Sequence, residues 1–385
     1  MVTRDAMVMR YGGVFALILT AGAAMAAEPG VGNALGCEHV AFVRAGVPGG
    51  LVGPAREACN GDPRDIRCCV APDGALWMAD SRDCVVWRIK DGQARIAAGC
   101  GVKGYRDGPA DRAMFDFGVG SYCDVETNCD AAGNIYVSDM MNNAIRRIFK
   151  KPDGAWWVET VSGGGKKGRD PKKGEWVPAS ELRFGGASRF AVADDGTLYY
   201  ANYGGIYQVK DGKGTRLATH EELSAQLGGR KALADWHVGG SHITPDGVFY
   251  WAPGGQEIFR FDTRAAGAGG ASGKAELVAG EGPKQTDGAT PRESGFHTVV
   301  VVYSRDASVI YTGGGDESVP RRIHKGAVRH LQKDGSFKPG NERDRDNWRL
   351  NQPVCLGPGG ELYTFPGPYA WAGWLVRVTF GEEGR

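Results

Sequence analysis

The stretch DAAGNIYVSD at residues 130–139 shows the pattern that decides the fold. A turn containing Asp and Gly precedes alternating aliphatic and aromatic residues, and an aspartate ends the run. Period-two alternation of β-branched and aromatic residues predicts a strand, and the turn before it predicts a hairpin. The following segment AIRRI, at residues 144–148, predicts the next antiparallel strand.

This pattern recurs five more times, and the aromatic residue of each copy follows that of the previous copy by 51 to 63 residues. Variable spacing around a constant strand order places the insertions in loops. We therefore predict an all-β fold of six four-stranded meanders packed radially, a six-bladed β-propeller. The other copies are APDGALWMAD (71–80), ADDGTLYYAN (193–202), TPDGVFYWAP (244–253), SRDASVIYTG (304–313) and GPGGELYTFP (357–366).

The two ends of the chain complement each other in this scheme. The sixth copy ends soon after its third strand, at Arg385, and so lacks an outer strand. The apolar segment HVAFV at residues 39–43 belongs to no copy. We expect it to supply the outer strand of the last blade and to close the ring. Residues 28–385 are then a single propeller domain.

Residues 1–26 have the pattern of a secretory signal peptide. Arg4 and Arg10 precede or flank an apolar run at residues 13–26, which ends in the cleavage pattern Ala24-Met25-Ala26. The run is too short for a comfortable membrane span, so we expect cleavage and a secreted or periplasmic protein with no membrane span. The nine cysteines suit an oxidising compartment.

The charge balance and the missing motifs limit the function. Lys and Arg number 46 against 45 Asp and Glu, a net charge of +1, which gives no basic surplus for nucleic acid. The sequence has no Gly-x-Ser-x-Gly, His-Glu-x-x-His or phosphate-loop motif. We predict a monomeric binding module whose channel face takes a protein, peptide or saccharide.

A second motif lies between the copies. GYRDG at residues 104–108 is followed by AMF at 113–115, and Gly282, Asp287-Gly288 and Gly295-Phe296 repeat the arrangement. Together with GNIYVSDMMNNAIRRI at 133–148, these residues resemble NHL-repeat propellers. The resemblance implies six blades and a binding role, but no single reaction. The chain is also distantly similar to gluconolactonase and senescence-marker propellers and to the peptidylglycine amidating lyase propeller, which implies a metal ion in the channel.

Three histidines are the candidate metal ligands. His237 and His297 each lie ten residues before the turn position of the fourth and fifth copies, and His242 lies deeper in the fourth. They can hold a divalent ion, Zn or Ca, in the channel of a metal-dependent hydrolase or lyase. The competing interpretation is that they bond nearby carbonyls, and no cofactor is then required. The acidic residues that could complete a metal site are Asp65, Asp124 and Glu126.

Arg67 and Arg189 occupy one register, seven residues before the turn glycine of the first and third copies. Facing inward, they can clamp a carboxylate or phosphate group of a ligand. Alternatively, they pair with Asp65 or Glu126 as ion pairs along the channel. Arg67, Arg189 and Glu126 are therefore the candidate ligand-binding residues.

The cysteines allow several interpretations. Cys84 and Cys100 flank a hairpin turn near residues 91–92 at almost equal distances, which predicts a cross-strand disulfide. Other pairings, and a copper or zinc thiolate cluster, are open. The other pairings are Cys59 with Cys68 or Cys69 and Cys123 with Cys129, and the cluster would use Cys68, Cys69, Cys123 and Cys129.

Two further groups of residues have predicted local roles. Asp and Asn side chains after the second strands are expected to bond the backbone of their own turns. The run THEE at residues 219–222 has the pattern of a capping box and predicts a short helix that can act as a lid near His237. The turn residues are Asp80, Asp139, Asn142, Asn143 and Asn202.

Overall fold

A computed structural model of the chain describes residues 36–44, 52–54, 68–118, 125–164, 168–184, 189–230, 233, 239–253, 256–264, 273–283, 289–296, 300–314, 317–331, 337–338, 350–366 and 372–380. Strands account for most of the regular structure in these ranges. No helix of the described ranges is long and apolar enough to cross a membrane.

The strands form six small antiparallel sheets, which are the blades of a propeller. The six-bladed fold predicted from the sequence is confirmed. Blade 1 contains β2 to β6, and blade 2 contains β7 to β11. These strands, with β1, are β1 (Gly36–Arg44), β2 (Val52–Pro54), β3 (Cys68–Val70), β4 (Leu76–Asp80), β5 (Val85–Lys90), β6 (Gln93–Ala98), β7 (Gly108–Pro109), β8 (Thr127–Cys129), β9 (Ile135–Asp139), β10 (Ala144–Lys150) and β11 (Trp156–Gly163).

Blade 3 contains β12 to β16 and blade 4 contains β17 to β20. Short 3-10 helices occupy Met140–Asn142 and Ala179–Glu181, and the helix α1 spans His220–Gln226. The strands are β12 (Val177–Pro178), β13 (Arg189–Val192), β14 (Leu198–Asn202), β15 (Gly205–Lys210), β16 (Lys213–Thr219), β17 (Ser241–Ile243), β18 (Val248–Trp251), β19 (Ile258–Asp262) and β20 (Ala275–Ala279).

Blade 5 contains β21 to β25, and blade 6 contains β26, β27, β28 and the N-terminal strand β1. Strand β1 runs antiparallel to β28, with Phe42 opposite Trp374 and Cys37 opposite Val378. The strands are β21 (Val300–Tyr303), β22 (Val309–Gly314), β23 (Glu317–His324), β24 (Ala327–Leu331), β25 (Phe337–Lys338), β26 (Leu350–Leu356), β27 (Leu362–Pro366) and β28 (Ala372–Thr379).

Short fifth strands extend four of the blades at their outer edges, which the expected four-stranded meanders do not include. Strands β2, β7 and β12 pair with the outer strands of blades 1, 2 and 3, and β25 pairs with that of blade 5. Each of these strands has two or three residues. A segment this short shows no period-two alternation, so the sequence pattern does not reveal it.

A register shift recurs at equivalent positions of four blades. The pairing of the third and fourth strands shifts just before Trp87, Arg146, Tyr207 and Phe259 in blades 1 to 4. A β-bulge at this place increases the local twist of the sheet. The repetition shows that the blades share one backbone plan although their sequences differ.

The hydrophobic core lies between the blades rather than within them. Each of five buried clusters joins residues of two neighbouring blades, from the blade 6–blade 1 interface to the blade 4–blade 5 interface. A Cβ atom added at Gly240 would lie 1.9 Å from the carbonyl oxygen of Val301. The absence of a side chain there lets the inner strands of blades 4 and 5 approach closely.

The predicted capping box is confirmed at helix α1. The Glu222 amide donates to the Thr219 hydroxyl at 3.2 Å, and the Glu222 carboxylate accepts from the Thr219 amide at 2.9 Å. Leu223 is fully buried in the cluster between blades 3 and 4. The Ala275 amide donates to the Gln226 side chain at 2.7 Å. The helix is therefore packed into an interblade core, which makes it a poor lid.

Candidate functional site: the central channel

The innermost strands of the six blades enclose the channel. Strands β3, β8, β13, β17, β21 and β26 contact one another in this order, and β26 contacts β3. The cavity between them has a volume of about 1080 Å³ and is lined by residues of all six blades. Binding cavities in proteins usually have volumes of roughly 300–1,000 Å³, with a few polar groups in a mostly apolar wall.

A buried ion pair joins blades 2 and 3 at this channel. Glu126 precedes β8 and lines the cavity, whereas Arg189 begins β13. The Arg189 Nη1 atom lies 3.2 Å from the Glu126 Oε2 atom, and the two side chains are 10% and 12% exposed. Arg189 and Glu126 therefore form the ion pair that was the alternative to a ligand clamp. Arg67 lies outside the described residues.

Asn128, on β8, extends the polar wall. It follows Glu126 by two residues, so both side chains belong to one face of the strand. The Asn128 amide donates to the Phe190 carbonyl at 3.0 Å, and its contact with Glu126 Oε1, at 3.5 Å, is long. Asn128 was not among the residues predicted for the site. The period-two alternation that predicts the strand could have identified it, because Asn128 shares a face with Glu126.

His242 lies on the channel wall in blade 4, the neighbour of blade 3. Its ring stacks on Tyr303 of blade 5, with the ring centroids 5.6 Å apart, and its Nε2 atom lies 2.9 Å from the Arg305 carbonyl. Because a carbonyl only accepts, Nε2 donates and the neutral ring keeps an acceptor at Nδ1. Burial lowers the pKa of His242 below its ordinary value, which favours this neutral form at pH 7.

The other two predicted metal ligands, His237 and His297, lie outside the described residues. Asp65 and Asp124 do as well. No three His, Cys, Asp or Glu side chains within the described ranges are grouped closely enough to hold a metal ion.

An ion pair links two blades that are not neighbours. It lies at the end of the channel where the turns between the first and second strands of the blades are found. Arg305 of blade 5 pairs with Asp194 of blade 3. Both residues line the cavity, and their side chains are 74% and 54% exposed. Exposed ion pairs contribute little stability, so this pair contributes little to holding the blades together. Its position narrows one end of the cavity. Its spacing of 111 residues gives no local sequence signal.

The predicted turn residues have structural roles. The Asp80 carboxylate accepts from the amides of Arg82 and Asp83 at 3.0 and 3.1 Å. Asn202 accepts from the amide of Gly204 at 2.8 Å. The Asn142 amide donates to Asp139 at 2.9 Å. Asp80 and Asn202 therefore bond the backbone of their own turns, as predicted. Asp139 and Asn142 differ from the prediction, because Asp139 accepts from the Asp116 amide at 2.8 Å and Asn142 also donates to the Gly104 carbonyl at 2.9 Å, both in the preceding loop.

The disulfide predicted between Cys84 and Cys100 is wrong for this structure, in which both residues are free cysteines. Cys84 is buried among residues of the blade 1–blade 2 core, and its thiol donates to the Ser81 carbonyl at 3.6 Å. Cys100 is exposed. Both residues lie just beyond the paired strands β5 and β6, so the symmetry of their sequence positions about the turn does not determine where their side chains lie. Cys59 and Cys123, which other predicted pairings and the thiolate cluster require, lie outside the described residues.

No family model and no curated protein sequence matches the chain. Solved structures do resemble it. A protein of unknown function from Bacteroides thetaiotaomicron aligns with a TM-score of 0.55 at 12% identity, over 90% of this chain and 76% of that one. An auxiliary nutrient binding protein from Bacteroides ovatus aligns with a TM-score of 0.54 at 13% identity, over the same shares of 90% and 76%.

A gluconolactonase from Xanthomonas campestris aligns less well, with a TM-score of 0.41 at 14% identity over 86% of this chain and 99% of that one. The class of protein is thus a six-bladed β-propeller. The chain is distantly similar to solved propellers of this kind. At identities this low, the likeness shows the fold and leaves the activity to be argued from the channel.

Proposed function

We propose that the protein is an exported β-propeller that binds a short peptide or a saccharide in its central channel. The observation that carries the proposal is the cavity of about 1080 Å³, which residues of all six blades line. Groups on rigid strands at the centre of a ring keep fixed positions, and this preorganisation lowers the entropic cost of binding.

The chemistry of the wall favours a polar ligand. Glu126 and His242 Nδ1 supply acceptors, and Asn128 supplies an amide, whereas Val302 and Tyr303 supply apolar surface. Because the Glu126 charge is already paired with Arg189, a ligand with hydroxyl or amide groups fits the wall better than a highly charged one. The fold accommodates such a role, since one propeller of similar structure is described as an auxiliary nutrient binding protein.

Calorimetric titration of the purified protein with a panel of short peptides and saccharides tests the proposal. We expect at least one of these ligands to bind, and Glu126→Gln to weaken its binding about tenfold or more, because a polar contact in the cavity is lost. Glu276→Gln is the matched control, since Glu276 lies on the outer strand β20 and pairs with Arg260 at 2.8 Å. Equal loss in both variants, or no binding in the whole panel, contradicts the proposal.

Export is the second part of the proposal, and it rests on the sequence of residues 1–26. Expression of the full chain in a bacterial host, followed by N-terminal sequencing of the exported protein, tests it. We expect a mature chain that begins just after Ala26. A full-length chain retained inside the cell contradicts export and leaves the channel proposal untouched.

The alternative function, a metal-dependent hydrolase or lyase, depends on His237, His297 and His242. The position of His242 in the channel wall, with an acceptor at Nδ1, is the observation in its favour. Metal analysis of the purified protein distinguishes the two functions. A bound Zn or Ca ion that is lost in both His237→Ala and His297→Ala supports the enzyme. Metal content that is zero, or unchanged in the variants, contradicts it.

A further inference from the structure

Two cysteines of different blades meet at the interface of blade 6 and blade 1. Cys68 lies on β3 and Cys355 on β26, and their Sγ atoms are 2.9 Å apart. The two residues are 4% and 8% exposed. Both are free cysteines in this structure, and the separation is that of two thiols in hydrogen-bond contact. Because a disulfide bond is about 2.0 Å long, a shift of roughly 1 Å brings the two sulfurs to bonding distance.

The two adjacent cysteines of β3 lie on opposite faces of the strand. Side chains alternate along a strand, so Cys68 and Cys69 face opposite ways. Cys68 belongs to the buried cluster that joins blades 6 and 1, together with Cys355 and Leu375. Cys69 packs instead against the cluster that joins blades 1 and 2, as Cys129 does. The partner available to Cys68 is therefore Cys355, which the sequence analysis did not consider.

We propose that Cys68 and Cys355 form a disulfide bond that joins the first and last blades beside the channel. A small-molecule disulfide is the oxidant: the two thiols lose two electrons and two protons as their S–S bond forms, and the oxidant takes up both and leaves as two thiols. The bonded residues are 287 positions apart, so the cross-link encloses almost the whole propeller. A cross-link around so long a loop restricts the unfolded chain strongly.

The burial of the pair determines when the bond forms and breaks. Burial raises the pKa of the Cys355 thiol well above its ordinary value, and exchange proceeds through the thiolate. We expect the bond to form while the ring is still open during folding. Once it is buried, the same surroundings exclude reductants, and the bond resists reduction until the protein unfolds.

Peptide mapping tests the pairing directly. The full chain is refolded with oxidised and reduced glutathione, its free thiols are alkylated, and it is digested with trypsin without reductant. We expect residues 68–82 to be linked to residues 350–377, which contain Cys355 as their single cysteine. Residues 68–82 also contain Cys69, so the Cys69→Ala variant is mapped in parallel. The link persists in Cys69→Ala and disappears in Cys68→Ala if the proposal holds.

Thermal unfolding supplies a readout that does not depend on the map. We expect the oxidised protein to melt roughly 5–10 °C above the protein refolded in reductant. Cys68→Ala and Cys355→Ala abolish this difference. Cys84→Ala, which also removes a buried free thiol, lowers both melting temperatures and keeps the difference. Complete alkylation of Cys355 in the oxidised wild type, or linkage of Cys68 to Cys59, overturns the proposal.

Discussion

Blade 2 contributes a carboxylate to two buried ion pairs, and the two pairs differ in their surroundings. Asp139 pairs with Arg146 inside blade 2 at 2.5 Å, and neither side chain is exposed. Glu126 pairs with Arg189 of blade 3 at 3.2 Å, and Glu126 lines the channel cavity. Both are carboxylate–arginine pairs in the interior of the same protein.

Local groups occupy the whole Arg146 guanidinium. It donates to the carbonyls of Met114 and Arg106 and to the carboxylates of Asp107 and Asp139, over distances of 2.5 to 3.1 Å. Its charge also lies 5.1 Å from the ring centroid of Phe115, a cation–π distance. No donor is left for a ligand, so the pair belongs to the scaffold.

The Glu126–Arg189 pair borders a space large enough for a ligand. A ligand that enters the cavity can therefore compete for or add to its hydrogen bonds. We propose from this difference that a buried charge pair indicates a binding site where it borders a cavity, and that burial and charge alone do not. Four variants test this distinction.

Arg146→Met is expected to have the largest effect. It leaves the buried Asp139 carboxylate without its cation, and breaking a buried pair in this way costs about 3–5 kcal/mol of unfolding free energy. Denaturant unfolding measures the loss. Arg147→Met, at the next residue, is the control, because Arg147 is 33% exposed and pairs with Glu159 at the surface; its cost should stay below about 1 kcal/mol. Equal costs would contradict a buried scaffold role for Arg146.

Asp139→Asn should have the next largest effect, a loss of about 2–3 kcal/mol of unfolding free energy. The loss is smaller because the side chain keeps its shape and Asp107 still neutralises Arg146. The equivalent residue of blade 1, Asp80, provides the matched variant. Asp80 accepts from the Trp87 indole at 3.3 Å instead of from an arginine. Asp80→Asn should therefore cost less than Asp139→Asn at pH 7, and a larger cost would show that the cation of blade 2 is not the decisive difference.

Burial raises the pKa of both carboxylates above the ordinary value, and the pH dependence of stability tests this shift at Asp80. Burial raises the pKa of Asp80 to about 7 from an ordinary value of 3.8. The folded state thus binds a proton that the unfolded state releases, so the contribution of Asp80 is full below pH 4 and is lost as the pH rises through 7. We expect wild type to lose at most about 1.4 kcal/mol per pH unit from this group over that window, and Asp80→Asn to remove this slope. If the unfolding free energies of the two proteins change by the same amount from pH 4 to 7, the raised pKa is contradicted.

Glu126→Gln should have the smallest effect on stability, about 1–2 kcal/mol, because water in the cavity can hydrate the Arg189 guanidinium. The same variant is expected to weaken ligand binding in the channel. Denaturant unfolding of Glu126→Gln beside Asp139→Asn measures the difference. If the two variants cost the same, Glu126 is a scaffold residue like Asp139, and the channel proposal loses Glu126 as a ligand-binding residue.

The blade strands could be predicted from the sequence because their signals are local. The segment 135–139 contains both the alternation that forms β9 and the aspartate that ends it. The segment 39–43 could be placed beside the last strand because the sixth copy lacked a partner there, and β1 does lie beside β28. The two-residue strand β7 could not be predicted, since so short a segment has no pattern.

The channel contacts were less accessible to sequence reasoning. The register that Arg189 shares with Arg67 placed Arg189 at the channel with Asp65 or Glu126 as possible partners, and the choice between a ligand clamp and an ion pair required coordinates. The Cys84–Cys100 pairing failed because the Cys84 side chain is buried in the blade 1–blade 2 core whereas Cys100 is exposed, a difference that the spacing of the two residues does not show. The stacking of His242 on Tyr303 joins two blades, and no feature near either residue in the sequence indicates it.

The sequence by itself determined the number of blades and the order of the hairpin-connected strands within each blade, because hairpins form between neighbours in the chain. Only the tertiary structure decided which side chains meet across blades: Glu126 with Arg189, Asp194 with Arg305, and Cys68 with Cys355. The physical reason is that each of these contacts joins strands of different blades, 63 to 287 residues apart. Their relative heights in the ring depend on every loop and bulge between them.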